Sequence, residues 1–161
     1  VGRSDGTDDF LTIASALPTA STVFIVTHLT STAGIATTGA METALAATQL
    51  DTGPRWLLQV DTASGWRFYN GAYNVVQGTI DTTAHLITVA GNGSSDEFFL
   101  DGTSQGTSAP SATDNACINL FCGFGAYYAH DIGEVVIYSE VQSAATIART
   151  KAYLAKKWGT A

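Results

Sequence analysis

The sequence predicts an all-β domain, a sandwich or barrel of antiparallel strands, closed by one short C-terminal helix. Three observations predict it. Runs of β-branched and aromatic residues recur along the chain. Turns of Gly, Asn, Asp and Ser interrupt them at roughly the 8–12-residue spacing of sandwiches and barrels. Helical periodicity is confined to residues 143–158.

In chain order, FLTI at 10–13 follows an acidic, glycine-containing turn. TVFIVTHL at 22–29 is apolar at both alternating sets of positions, the pattern of a central strand covered on both faces. RWLLQVD at 55–61 shares that pattern. WRFYNGAYNVVQG at 66–78 reads as two strands about Asn70-Gly71, a strong hairpin signal. HLITVAG at 85–91 leads into the loop NGSSD at 92–96, and EFFLDGTSQG at 97–106 carries a second hairpin about Asp101-Gly102. CINLFCG at 117–123 and EVVIYS at 134–139 complete the series. The Ala, Gly and Thr mixture at 31–50 predicts strand and loop rather than helix. SQGTSAPSATDNA at 104–116 reads as a loop broken by Pro110.

The helix at 143–158 has Ser143 as its N-cap and Gly159 as its stop. Ile147, Leu154 and Trp158 fall on one side, with Ala144, Ala148 and Ala155 beside them. Lysines crowd the last turns, where they complement the helix dipole. So short a helix docks on the sheets for its stability.

At 161 residues the chain suits a single domain, 1–161, with one core. Hydrophobic residues make up 45% and charged residues 13%, which excludes a disordered tail. No apolar run reaches the roughly 18 residues of a membrane span. Residues 1–142 carry all fourteen acids against Arg3, Arg55 and Arg67, while Arg149, Lys151, Lys156 and Lys157 sit in the helix. A body this acidic repels phosphate, so nucleic acid is not an expected partner. Cys117 and Cys122 are expected as buried free thiols, since neither a disulfide nor a zinc site fits two cysteines at this spacing.

The order of motifs resembles the concanavalin A-like, laminin-G-like superfamily. DGTDDFLTI resembles its "DG-x-DD-aromatic-L" opening. HLITVAGNGSSDEFFLDGTSQGT looks like its core hairpin, and IGEVVIYSEVQSAATIARTKAYLAKKWG is similar to its strand–helix–"KW-G" close. The resemblance covers nearly the whole chain and implies a two-sheet antiparallel jelly-roll sandwich with a helix on the outside. It further implies sugar binding, adhesion or attachment within an assembly, as in phage virion proteins and bacterial secreted proteins, and so an extracellular or virion-surface location.

Catalysis finds no support. Glycosidases of this fold set paired carboxylates two or four apart on one strand; Asp96-Glu97 and Asp131-x-x-Glu134 do not match. The Arg, Gln-x-His and Tyr motifs of the lyases are missing, and His28, His85 and His130 show no partner in sequence. No cofactor is required. Calcium is the one metal the oxygen-rich turns suit: Asp5, Asp8 and Asp9 form one cluster, and Asn92, Asp96 and Glu97 a second. Such residues equally cap turns through their own backbone.

Sugar binding needs aromatic faces beside polar groups. Two segments offer them. GWRFYNGAYN at 65–74 supplies Trp66, Arg67, Tyr69, Asn70 and Tyr73; GFGAYYAHD at 123–131 supplies Tyr127, Tyr128 and His130. Trp56, Trp158 and Glu134 read as structural. The expected function is a non-catalytic carbohydrate-binding or adhesion module whose partner is a glycan or cell-surface polysaccharide. The alternative is a virion decoration or oligomerisation domain that packs against other domains or its own copies.

Overall fold

The computed structural model describes residues 2–3, 11–13, 18–30, 42–46, 57–61, 65–70, 73–75, 80–109, 118–120, 122–123, 126–127 and 130–160. The strands are, in order, β1 (Gly2–Arg3), β2 (Leu11–Ile13), β3 (Ser21–Leu29), β4 (Glu42–Ala46), β5 (Leu57–Asp61), β6 (Gly65–Tyr69) and β7 (Tyr73–Val75). There follow β8 (His85–Gly91), β9 (Asp96–Leu100), β10 (Thr103–Ser108), β11 (Ile118–Leu120), β12 (Cys122–Gly123), β13 (Ala126–Tyr127), β14 (His130–Tyr138) and helix α1 (Ala144–Trp158).

The protein is thus mostly antiparallel β with one C-terminal helix. A first six-stranded sheet runs β1-β14-β3-β8-β9-β10, a second runs β2-β11-β4-β5-β6-β7, and β12 and β13 form a small ribbon. β3 is central, paired with β14 on one side and β8 on the other. Both sequence-predicted hairpins form: β6 pairs with β7, with Tyr69 opposite Tyr73, and β9 pairs with β10 about Asp101-Gly102. Asp101 takes a left-handed φ of 48° and Gly102 one of 82°, as a two-residue hairpin turn requires.

Strand alternation explains the layers. On β3, Val23 and Ile25 face one way and Phe24 and Val26 the other, and all four are buried. Val23 and Ile25 join Ile87, Val89 and Phe98 of the first sheet with Leu58, Val60, Trp66, Phe68 and Leu120 of the second in one core. Phe68 and Phe98 stack across it at 5.3 Å with an interplanar angle of 15°. Phe24, Val26 and Leu86, on the opposite face of the first sheet, receive Leu154, Ile147 and Trp158 of α1. The double-sided apolar pattern of 22–29 therefore reports two covers, a second sheet and a helix.

The helix obeys its sequence signals. Ser143 Oγ accepts from the Thr146 amide, and Gly159, at φ 70°, closes the last turn by donating to the Ala155 carbonyl. Glu134 on β14 accepts from Lys157 Nζ and Trp158 Nε1, each at 2.9 Å, so it pins the helix end. These two donors hold its carboxyl below the usual carboxylate range, Lys157 having the larger effect.

Three details differ from the sequence reading. Residues 104–108, read as loop, continue β10, with a register shift between Ser104 and Gly106 that lets the strand bulge. β14 begins at His130, four residues before the apolar run, because Asp131 and His130 pair with His28 and Leu29. Gly2–Arg3 adds an edge strand that carries no apolar signal. Trp56, Cys117 and the side chain of Cys122 lie outside the described residues.

Candidate ligand-binding surfaces

The segment 65–74 divides between two environments. Trp66 and Phe68 point into the core, each 1% exposed, so Trp66 offers no free ring face, contrary to its expected place in a sugar platform. Period-2 alternation on β6 puts positions 65, 67 and 69 on the opposite face of the second sheet, where Gly65 is buried and Arg67 half-buried. There the register sets Arg67 beside Gln59 and Val75, and Tyr69 beside Leu57 and Tyr73. Arg67, Tyr69 and Tyr73 thus share one sheet face by backbone position.

The second aromatic segment splits likewise. Tyr127 lies on β13, whose ribbon with β12 runs against β4 of that same second sheet. β5 separates β4 from β6 in the strand order, two strand spacings or roughly 10 Å. The ribbon that carries Tyr127 therefore lies beside the sheet that carries β6 and β7. His130 does not join them: it sits on β14 of the first sheet, 1% exposed, and burial pushes its imidazole down to about 3, so it is neutral. A loop reading of 123–131 missed that its last two residues already belong to β14. Tyr128 lies outside the described residues, as do the side chains of Tyr69, Tyr73 and Tyr127.

Asn70 is fully buried and ties the two sheets together. Its amide donates to Asp96 Oδ2 at 3.1 Å, and Ser108 Oγ donates to its Oδ1 at 2.9 Å. It is a sheet-to-sheet strut rather than a ligand contact. The same bond turns Asp96 inward. Asn92 Oδ1 caps its own loop by accepting from the Ser94 and Ser95 amides at 2.8 Å, and Glu97 accepts from Ser104 Oγ at 2.7 Å. The oxygens of this second acidic loop diverge, so they build turns and do not form a cation cage. Asp5, Asp8 and Asp9 lie outside the described residues.

His85 engages two carboxylates at once. It begins β8 and is 8% exposed. Its Nδ1 meets Asp101 Oδ2 at 2.7 Å and its Nε2 meets Asp81 Oδ1 at 3.2 Å. The Trp66 ring packs edge-on at 5.4 Å. Asp101 is itself fixed by the Leu86 amide, which donates to its Oδ1 at 2.8 Å. Its hydrogen bond to Asp101 is the strongest influence holding the imidazole above its ordinary value, and burial opposes it. Asp81 is held low, first by the Thr83 hydroxyl. Both carboxylates are thus engaged by one imidazole, an arrangement that locks the 80–85 segment to the β9–β10 turn. A related clamp joins Arg3, His28 and Asp131, where Arg3 Nε donates to Asp131 Oδ1 at 2.6 Å.

One open groove of about 640 Å³ lies between α1 and the outer face of β8, β9 and β10. Ala90, Phe99, Val141, Ala144 and Ile147 supply its apolar lining, and Lys151 overhangs it with Nζ 3.8 Å from the Phe99 ring centroid.

With this geometry in view, the chain matches no family model and no curated protein by sequence. Its fold has close counterparts among solved structures. The binding domain of botulinum neurotoxin serotype D superposes with a TM-score of 0.70 at 12% identity, covering 98% of this chain and 45% of that one. Trypanosoma rangeli sialidase gives 0.64 at 14% identity, over 86% of this chain and 23% of that one. The Ruminococcus gnavus IT-sialidase CBM40 gives 0.58 at 13% identity, with 84% of each chain covered. The chain shares the β fold of these structures. It spans about a quarter of the sialidase and under half of the toxin domain. At these identities the likeness is one of fold.

Sequence reasoning missed the His85 clamp because its carboxylates come from a turn and a loop, at positions 101 and 81, that only the folded sheet brings together. It missed the groove because the cause is a pair of alanines, Ala144 and Ala148, which read simply as good helix formers.

Proposed function

We propose that this chain is a non-catalytic carbohydrate-binding or adhesion module with a concanavalin A-like, laminin-G-like jelly-roll fold. The observation that carries the reading is the placement of Arg67, Tyr69 and Tyr73 on one face of the second sheet, with the β12–β13 ribbon and Tyr127 alongside. The helix covers the outer face of the first sheet. Tyrosine and arginine positions that share one sheet face suit pyranose rings, which stack on aromatic faces and present hydroxyls to Arg and amide side chains. Tyr128 belongs to the same proposal, and calcium enters it at the Asp5, Asp8 and Asp9 turn. The fold's likeness to a sialidase CBM40 and a neurotoxin binding domain supports this class. The partner proposed is a glycan or cell-surface polysaccharide met at an extracellular or virion surface.

Calorimetric titration of saccharides against the wild type and the Arg67→Ala, Tyr69→Ala and Tyr73→Ala variants tests the site. Each substitution should weaken binding by about 1–3 kcal/mol, the range for losing a stacked ring or a charged hydrogen bond. Unchanged affinity in all three would remove this face.

An assembly role is the second reading, favoured by one observation. β2 is an edge strand of the second sheet, and its Leu11 and Ile13 are 52% and 40% exposed. Exposed apolar residues on a sheet edge invite pairing with another chain. Sedimentation analysis separates the readings: a concentration-dependent oligomer abolished by Leu11→Lys supports assembly.

A further inference from the structure

Ala144, Ile147, Ala148, Lys151, Leu154 and Trp158 follow one another at helical spacing along α1, and the first four line the groove. The C-terminal half of the series is large, and Leu154 and Trp158 close tightly on Phe24, Val26 and Leu86. The N-terminal half carries alanines at 144 and 148, too small to reach β8, β9 and β10. The groove is the space they leave. At about 640 Å³ it falls in the size range of small-molecule sites, about 300–1,000 Å³.

Two charged side chains line it, Lys151 and Glu97, and they are held apart. Lys151 is half-buried there, with its ammonium over Phe99, and among the described residues no carboxylate lies within ion-pair distance of it. Burial lowers its pKa, and Glu97 offsets this only by acting at a distance. Glu97 itself is tied to Ser104 Oγ at 2.7 Å. The groove thus combines an apolar lining with two charges, Lys151 held over Phe99 and Glu97 tied to Ser104, that do not pair with each other.

We propose that the α1 groove is a second binding site, independent of the glycan face, for a small amphipathic anion: a carboxylate carried on an aryl or short alkyl body. The carboxylate pairs with Lys151, which leaves the Phe99 ring to meet it. The apolar body takes the place of the ammonium over Phe99 and lies against Ala90, Val141 and Ile147. The interaction is non-covalent, and every contact comes from residues already at the groove.

The test titrates the isotopically labelled full chain with hydrocinnamate and, separately, with hydrocinnamide, following backbone amide resonances. Hydrocinnamate should give saturable shifts at Ala90, Phe99, Ala148 and Lys151, with the amide binding about tenfold more weakly, the scale of one charge-assisted contact. Lys151→Met should weaken the acid by a similar factor and leave the amide unchanged. Ala148→Leu, which fills the groove on a helix that tolerates leucine, should abolish both. Equal binding of acid and amide, an unchanged acid affinity in Lys151→Met, or no saturable shift at millimolar ligand would each overturn the proposal. None of these outcomes bears on saccharide binding at Arg67, so the two sites stand or fall separately.

Discussion

Trp158 packs against Gly133 so closely that a Cβ at position 133 would meet its indole at 3.1 Å. The last turn of the helix and the middle of β14 are thus fitted to each other by the lack of a side chain. Gly133→Ala should lower stability by about 1–3 kcal/mol, the usual cost of an extra methyl in a packed contact. Denaturant unfolding measures the loss. Near-UV circular dichroism should change with it, because the indole must shift.

The same helix end is anchored by Leu154, which is fully buried against Phe24, Val26 and Leu86. Leu154→Ala should cost about 2–5 kcal/mol. If docking rather than intrinsic propensity holds the helix, the far-ultraviolet helical signal should melt earlier than the sheet signal in this variant. Coincident, unshifted transitions would show that α1 contributes little.

Two histidines give stability opposite dependences on pH. His130 is buried neutral, with its folded value pushed down from 6.5 to about 3. The unfolded chain binds that proton more readily, so stability falls as pH drops below 6.5 and goes on falling toward 3. His130→Leu should flatten the acid limb of a plot of midpoint against pH. An unchanged limb would mean that the imidazole is not the group responsible.

His85 works the other way. Asp101 and Asp81 raise its folded value above 6.5, so its contribution is fully present below 6.5 and is lost as pH rises through the folded value. His85→Gln should remove that alkaline decline and lower the melting temperature at pH 6, while leaving the wild type and variant closer at pH 9. Equal differences at both pH values would show that the ring acts only by packing on Trp66.

The fold was legible because its signals are local. Asn70-Gly71 and Asp101-Gly102 each specify a hairpin, Ser143 and Gly159 bracket the helix, and the two-sided apolar pattern of 22–29 marks the central strand. The site was legible only in part. Alternation decides which of Trp66, Arg67, Phe68 and Tyr69 face the core, and sequence alone does not say which parity is inward when aromatics occupy both. Asn70 and His130 look like surface groups in a polar segment, yet the partners that bury them come from β9, β10 and β3, distant in sequence. Long-range pairing carries no mark in the local residues.

A glycan-array screen of the purified domain, run with calcium and again with chelator, decides whether this chain binds carbohydrate. The account predicts a defined set of bound saccharides, lost from the Arg67→Ala variant. Loss of the same set under chelator alone would place calcium in the site. An array blank in both conditions, with the domain verified as folded, would contradict the carbohydrate-binding reading and leave assembly through the β2 edge as the function to pursue.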